Sequence, residues 1–163
     1  MPELIIIKQR TGPSNWHVYS APETATDVTY LNTTSASFPD AGAWANTSPT
    51  ASVFTVGTGG DVNTGAQTYV AYLFATLAGV SKVFSYTGNG TNQTINCGFT
   101  AGARFVLIKR TDAVGDWFVW DSVRGIVAAN DPHLSLNTAA AEVTTNATID
   151  PDNSGFIVNQ LAA

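Results

Sequence analysis

The sequence contains one strand pattern twice, and this repeat limits the folds that the chain can adopt. The stretch LIIIKQRTGPSNWHVYSA near the start matches FVLIKRTDAVGDWFVWDS in the second half. In each copy a lysine follows an apolar run and stands eight residues before a tryptophan, Lys8 before Trp16 and Lys109 before Trp117. Repetition of one supersecondary pattern predicts two similar halves.

The match continues in the same order after these strands. Leu31-Asn32-Thr33 corresponds to Leu136-Asn137-Thr138, and Phe54-Thr55-Val56 corresponds to Phe156-Ile157-Val158. The offsets are 101 residues at the tryptophans, 105 at Leu-Asn-Thr and 102 at the phenylalanines. Small changes in offset are what surface loops tolerate. We therefore predict a single domain, residues 1–163, made of two pseudo-repeats that cover about 1–84 and about 85–163.

Short segments with strand composition recur along the chain. Each is rich in β-branched or aromatic residues and is bounded by Gly, Pro, Asn, Asp or Ser. They are ELIIIKQR, NWHVYSA, VTYLNTT, SVFTVG, QTYVAYLFATL, SKVFSYTG, QTINCGF, RFVLIKR, DWFVWDS, HLSLNT and SGFIVN. About eleven such strands predict an all-β fold, an antiparallel β-sandwich of jelly-roll or lectin-like type with an internal duplication.

The stretch QTYVAYLFATLAG is the one ambiguous segment. Its alanines favour a helix, whereas Val70, Tyr72 and Phe74 fit one face of a strand. Because the opposite face is apolar too, we predict a strand that is buried on both faces.

Four aromatic residues, Trp16, Tyr19, Trp117 and Trp120, are the candidates for contact with a glycan or a partner subunit. The strand DWFVWDS carries large apolar groups on both faces, and core packing is the default expectation for such a strand. Exposed aromatics that stack on sugar rings, or an interface between subunits, are the alternatives.

Charge and composition exclude several classes of partner. The net charge is −5, and the basic residues are scattered singly except for Lys109-Arg110, so we predict no nucleic-acid binding. No stretch has the roughly 18 apolar residues of a membrane span, and we predict no membrane insertion. The single cysteine, Cys97, alternates with Ile95 and Phe99, which predicts a small buried side chain.

Residues for catalysis or metal binding are sparse. His17 and His133 are the only histidines, and without paired Cys or His spacing they predict surface or loop positions rather than a zinc site. A Gly-x-Ser-x-Gly elbow is absent, and Asp112 and Asp116 fall in a hairpin loop where they would be solvated. The sequence therefore predicts a non-enzymatic protein without a cofactor.

Two further groups of polar residues have mainly structural interpretations. Asp121 and Arg124 are placed to form a local ion pair that fixes a turn. Asp150, Asp152 and Ser154 resemble the start of a calcium loop, but Leu161 stands where the bidentate acid would be needed. A β-turn rich in Asx residues explains that segment better, and calcium remains the alternative.

The block FVLIKRTDAVGDWFVWDSVRG, with LSLNTAAAEV and SGFIVN after it, resembles repeated modules of large bacteriophage structural proteins, chiefly tail fibres. The matching elements are Ile108 to Arg110, Asp121 to Gly125, Asn137-Thr138, Gly155-Phe156, Tyr69 to Ala75 and Ser85 to Gly90. The first copy departs from the pattern, because it has Ser20-Ala21-Pro22 where the second has Asp121-Ser122 and Arg124-Gly125. Any role for Asp121 and Arg124 therefore holds for one copy.

The resemblance implies a lectin-like β-sandwich on a virion and implies no catalytic residues. The expected function is that of a tail-fibre or capsid-surface module that mediates attachment or particle assembly, with other virion proteins and host surface glycans as partners. Such a protein is made in the host cytoplasm and released by lysis. A free-standing carbohydrate-binding module is the alternative.

The second copy has no counterpart of TYVAYLFA, which leaves one sheet edge without a neighbour. Open edges seek partners, and the low share of charged residues, 12%, gives little electrostatic defence against association. We therefore expect a homo-oligomer, a trimer in the case of a fibre module. The alternative is that strands of the two copies complete each other within one closed sandwich.

Overall fold

In the computed structural model, which describes residues 1–159, the chain is almost entirely β-structure, with 31% strand and 5% helix. The elements are β1 (Leu4–Gln9), β2 (His17–Ser20), β3 (Asp27–Tyr30), β4 (Phe38–Pro39), α1 (Ala41–Trp44), α2 (Gly60–Asn63), β5 (Tyr69–Phe74), β6 (Gln93–Asn96), β7 (Phe105–Lys109), β8 (Trp117–Asp121), β9 (Leu134–Ser135), β10 (Ile149–Asp152) and β11 (Gly155–Val158). Every strand pair is antiparallel. The predicted antiparallel all-β class is confirmed.

The chain divides into two compact units. The first unit contains Met1–Thr76 and Arg110–Gly115, and the second contains Leu77–Lys109 and the chain from Asp116 onward. The boundary therefore falls eight residues before the position, about residue 84, that the repeat predicts.

The first unit is a five-stranded sheet in the order β4-β3-β2-β1-β5. Ile5 lies opposite Tyr19 on one side and Leu73 on the other, so these three side chains share one face of the sheet. The two short helices cover that face, and Trp44 of α1 is buried against Tyr19 with ring centroids 5.8 Å apart.

Local sequence explains why α1 is a single turn and why it lies so close to the backbone at Gly57. Asp40 caps the helix, since its carboxylate accepts a hydrogen bond of 2.8 Å from the backbone N–H of Gly42. Ala45 ends the helix in the left-handed conformation, with φ of 51°. A Cβ on Gly57 would lie 2.2 Å from the carbonyl oxygen of Gly42, so only glycine allows this close approach of two backbones.

The second unit consists of two three-stranded sheets in the orders β10-β11-β6 and β7-β8-β9. Side chains from both sheets form one core, so this unit is a β-sandwich. The buried members are Ile95, Cys97, Val106, Trp120, Ile149 and Phe156. The predicted burial of Cys97 is confirmed, with 8% of its surface exposed.

In both units equivalent hydrogen bonds join a tryptophan to the asparagine of the repeated Leu-Asn-Thr sequence. The backbone N–H of Trp16 donates to Oδ1 of Asn32 at 2.8 Å, and the backbone N–H of Trp117 donates to Oδ1 of Asn137 at 2.8 Å. In both units the same asparagine also donates to the side chain that precedes the tryptophan. This is the physical reason for the repeated Leu-Asn-Thr sequence, while the duplication itself stays a prediction.

The strand predictions differ from the structure at several places, and at one of them a missing sheet neighbour explains the difference. Phe54-Thr55-Val56 does not form a strand in the first unit, whereas Phe156-Ile157-Val158 forms β11. In the second unit β6 and β10 flank β11, and the first unit has no such pair of strands among residues 1–159. SKVFSYTG contributes only an isolated bridge, and the short strands β4 and β10 are absent from the predicted set.

Within residues 1–159, the helices are single turns, and none is long or apolar enough to cross a membrane.

We expect Trp44→Ala to lower the free energy of unfolding by about 3–5 kcal/mol, because it leaves a large cavity over Tyr19. Trp16, which is half-buried, is the matched control. Trp16→Ala should lower the free energy of unfolding less, because the hydrogen bond from its backbone N–H to Asn32 remains. Urea unfolding followed by circular dichroism measures both. Equal losses in the two variants would show that Trp44 is not the centre of this core.

Candidate binding sites

Three of the four aromatic candidates are buried. Tyr19, Trp117 and Trp120 keep 5%, 5% and 3% of their surface exposed, because β2 and β8 lie between two other strands in their sheets. Core packing, the default expectation for DWFVWDS, therefore agrees with the structure, and the alternative of glycan stacking is contradicted for these three residues. Trp16 alone of the four is half-buried rather than buried.

Asp121 and Arg124 form the turn that follows β8. Oδ1 of Asp121 accepts bonds of 2.9 Å from the backbone N–H groups of Val123 and Arg124, and its Oδ2 is paired with the guanidinium. The backbone N–H of Arg124 is the largest of the effects that hold the pKa of Asp121 below its usual value. Arg124 also contacts Glu142 at 3.0 Å, so the pair connects the turn to a second loop.

Asp150, Asp152 and Ser154, the candidates for calcium binding, form structural hydrogen bonds at the β10–β11 hairpin. Oδ1 of Asp152 accepts bonds from the backbone N–H and the hydroxyl of Ser154, at 2.8 and 2.6 Å, which closes the turn. Asp150 accepts instead from the backbone N–H of Ala129 at 3.2 Å. Residues 1–159 contain no group of three or more His, Cys, Asp or Glu side chains that could hold a metal.

Both histidines are buried, with 3% of His17 and 5% of His133 exposed, so the prediction of surface or loop positions is wrong for their side chains. His17 packs against the ring of Tyr30 at 4.7 Å. His133 lies 5.4 Å from the rings of both Phe118 and Trp120. The sequence provides no periodic signal for His133, because it precedes a strand of only two residues.

Strand β5 is an exposed apolar edge of the first unit. Tyr72, Leu73 and Phe74 keep 48%, 48% and 49% of their surface exposed, so the prediction of a strand buried on both faces is wrong. The strand itself is confirmed, and it lies last in the sheet order. An edge strand has one neighbour, and its side chains receive less cover from the sheet.

The backbone of β5 also presents hydrogen-bonding groups along this edge. Just beyond the paired residues of β1 and β5, the backbone N–H of Arg10 donates to the carbonyl of Thr68 at 2.8 Å. This bond identifies which residues of β5 are hydrogen-bonded to β1. In an antiparallel pair every second residue bonds the neighbour and the others point away. The N–H and C=O groups of Ala71 and Leu73 therefore point toward the open edge.

The second unit contains a half-open cavity of about 340 Å³. Its lining combines aromatic and aliphatic side chains from β7, β8, β10 and β11 with polar groups from the loops, namely Tyr86, Ile108, Phe118, Trp120, His133, Asn146, Thr148, Ile149, Val158 and Asn159. The indole N–H of Trp120 donates to the hydroxyl of Thr148 at 3.0 Å, which fixes the ring. Three of the lining residues, Trp120, His133 and Ile149, keep only 3%, 5% and 1% of their surface exposed.

Asp131 attaches the start of β10 to the loop before β9. Its side chain is fully buried, and Oδ2 accepts the backbone N–H groups of Thr148 and Ile149 at 2.5 and 2.9 Å. Its Oδ1 has no hydrogen-bond partner among the described residues. Since Thr148 and Ile149 line the cavity, this carboxylate fixes one cavity wall.

The thiol of Cys97 is not placed for nucleophilic chemistry. Its side chain is buried, and burial raises the pKa of the thiol above its ordinary value. The neutral thiol is a weak nucleophile compared with the thiolate. Cys97 is therefore a core residue of the second unit.

We expect Asp131→Ala to lower the free energy of unfolding by about 2–3 kcal/mol, because two buried N–H groups would lose a charged acceptor. Asp131→Asn keeps one acceptor and should lose less. Asp112→Ala is the control, since that carboxylate is exposed and its solvent-screened pair with Arg110 should contribute little to stability. Chemical denaturation at neutral pH compares the three, and a loss in Asp131→Ala no larger than in the control contradicts this role.

Stability should fall as the pH is lowered from 8 to 5.5, because burial of His17 is the largest effect on its pKa and lowers it below the ordinary value of 6.5. The unfolded chain then binds a proton that the folded chain excludes, so the contribution of His17 is present above pH 6.5 and lost below it. Phe118 occupies the corresponding position of β8, and His17→Phe should flatten this dependence. Melting temperatures at both pH values test this, and an unchanged pH dependence in the variant would contradict it.

Comparison with known proteins gives one family assignment. No curated protein and no solved structure matches the chain. A family model described as a domain of unknown function (DUF7483) matches residues 1–162. Because this match extends over nearly the whole sequence, the chain belongs to the DUF7483 family.

Proposed function

We propose that the chain is a structural module of a bacteriophage virion, a tail-fibre or capsid-surface component that assembles with other virion proteins and mediates attachment. The resemblance of its repeated blocks to phage structural modules is the basis for placing it on a virion. The exposed β5 edge is the observation that carries the proposal, because monomeric proteins seldom leave an apolar edge strand uncovered.

The chemistry of β5 favours a β-strand as its partner. The six residues YVAYLF include no charge and no proline, which are the usual means of blocking an edge. Ala71 and Leu73 direct backbone groups outward at the spacing that a second strand requires. Tyr72 and Phe74 place aromatic rings on one face, where a neighbouring strand would cover them.

A second copy of the chain supplies a matching edge. In residues 1–159, β7 is the end strand of its sheet, with β8 as its neighbour. Its counterpart β1 has two neighbours, β2 and β5. Pairing of β5 in one copy with β7 in another joins unlike edges, and such contacts produce rings or filaments. A closed ring of three copies fits a fibre module.

A carbohydrate-binding module is the second candidate. The first unit has a polar groove lined by Lys8, Pro13, Ser14, Asn15, Asn32 and Asp61. Amide, carboxylate and ammonium groups of this kind bind sugar hydroxyls, and Trp16, next to Asn15, is the half-buried aromatic. In this alternative the protein acts as a lectin, and neither candidate is an enzyme.

Sedimentation equilibrium at micromolar concentration tests the assembly. We expect a species several times heavier than the 17.1 kDa chain, and Leu73→Lys should shift it to 17.1 kDa because a charge would enter the strand interface. Val123→Lys adds the same charge at a turn residue that is 95% exposed, and it should leave the oligomer intact. A wild-type chain that sediments at 17.1 kDa would rule out assembly through this edge.

Location on the virion and glycan binding are separate measurements. Gold-labelled antibody against the chain should decorate phage particles in electron micrographs if it is a virion component. A glycan array screened with the purified oligomer distinguishes the lectin alternative. Particles without label, together with a specific glycan signal, would replace the proposed function by the second candidate.

A further inference from the structure

The strands β1 and β7 bond their hairpin partners in the same alternation. The backbone N–H of Ala21 donates to the carbonyl of Glu3 at 2.7 Å, beside the β1–β2 pair. At positions 101 residues further on, the backbone N–H of Ser122 donates to the carbonyl of Arg104 at 2.9 Å, beside the β7–β8 pair. Because every second residue of an antiparallel strand bonds the same neighbour, these equivalent bonds give β1 and β7 equivalent outward-facing groups.

The outward-facing groups are covered in β1 and uncovered in β7. In β1 they belong to Leu4 and Ile6, which lie opposite residues of β5. In β7 they belong to Phe105 and Leu107, and β7 is an end strand of its sheet in residues 1–159. An end strand presents a row of N–H and C=O groups that another strand can pair with. The edge of β7 can therefore receive a strand in the way that the edge of β1 receives β5.

The open edge of β5 has backbone groups at the matching spacing. They belong to Ala71 and Leu73, and antiparallel pairing joins them to β7 when Leu73 lies opposite Phe105 and Ala71 lies opposite Leu107. In this register all five residues of β7 lie opposite residues of β5. A shift of two residues in either direction keeps the alternation but leaves part of β7 without a β5 partner.

The same register brings exposed apolar side chains together. Phe105 keeps 61% of its surface exposed and Leu73 keeps 48%, and as a directly opposite pair they would cover each other on one face. On the other face Tyr72, which is 48% exposed, would lie opposite Val106, a core residue of the second unit. The pairing therefore removes apolar surface from water on both faces of the joined sheet.

Charge favours β5 over a second β7 as the strand that pairs with the β7 edge. Two β7 strands paired in antiparallel fashion about Leu107 would place Arg104 opposite Arg110 at both ends. Like charges directly opposite each other destabilise a strand pair. The sequence of β5, YVAYLF, has no charged residue, so this repulsion does not arise.

We propose that β5 of one copy and β7 of a second copy form a continuous antiparallel sheet, with Leu73 opposite Phe105 and Ala71 opposite Leu107. The inference rests on the proposed function, in which the chain assembles through β5, and it specifies the register and the side-chain contacts of that assembly. Each contact uses one β5 edge and one β7 edge. A dimer therefore leaves one edge of each kind open, whereas a closed ring leaves none.

Disulfide cross-linking between two singly substituted full chains tests the register. One chain carries Leu73→Cys and the other carries Phe105→Cys, so a bond between the two introduced thiols can only join two copies. Opposite residues of a hydrogen-bonded pair have Cα atoms about 5.5 Å apart, which is within the range of a disulfide. In a glutathione buffer the mixture should form a species of twice 17.1 kDa at least fivefold faster than either variant alone.

Two controls accompany the mixture. Leu107→Cys replaces Phe105→Cys in the first control, and it should cross-link with Leu73→Cys at least fivefold more slowly because it lies two residues out of register. The wild-type chain is the second control, since it contains only Cys97, which is buried. Sedimentation equilibrium of each variant before oxidation shows that it still assembles.

Three results would overturn the proposed pairing. Faster cross-linking of Leu73→Cys alone would show that two β5 edges pair with each other, and faster cross-linking with Leu107→Cys would show a different register. An oligomer that persists without any preferred cross-link would remove the pairing and leave the proposed assembly standing. A wild-type chain that sediments at 17.1 kDa would instead remove the assembly itself.

Discussion

Each unit depends on how the large aromatic side chain on the central strand of one sheet is covered. Tyr19 in β2 and Trp120 in β8 stand at corresponding positions on central strands, facing the core. A ring of this size removes a large apolar surface from water only when other groups close over it. In the first unit a helix with Trp44 provides that cover. In the second unit a second sheet provides it.

This difference in cover explains why similar sequences produce different local structure. Phe156-Ile157-Val158 is a strand because β6 and β10 hold both of its edges, and Gly155 lets β6 approach so closely that a Cβ there would lie 2.1 Å from the carbonyl oxygen of Ile95. Phe54-Thr55-Val56 has a similar sequence without those neighbours, and it packs on the first core as irregular chain. Strand formation here depends on available partners more than on propensity.

The limits of sequence reasoning follow from the same point. Alternation and repetition were enough to predict the antiparallel class, the central strands DWFVWDS and LIIIKQ, and the burial of Cys97. They could not separate a strand at a sheet edge from one in the middle, and YVAYLF, apolar on both faces, was therefore predicted to be buried. Position in a sheet is set by long-range pairing that no local pattern contains.

Because Cys97 is buried, its reactivity can be used to measure local unfolding of the chain. It is the only cysteine in the sequence, and it lies in the core of the second unit, under β11, where a Cβ on Gly155 would be 3.0 Å from its Sγ. Because the side chain is buried, a thiol reagent reaches the sulfur readily only after the surrounding core has opened. The rate of its modification in native conditions is therefore a measure of local opening in the second unit.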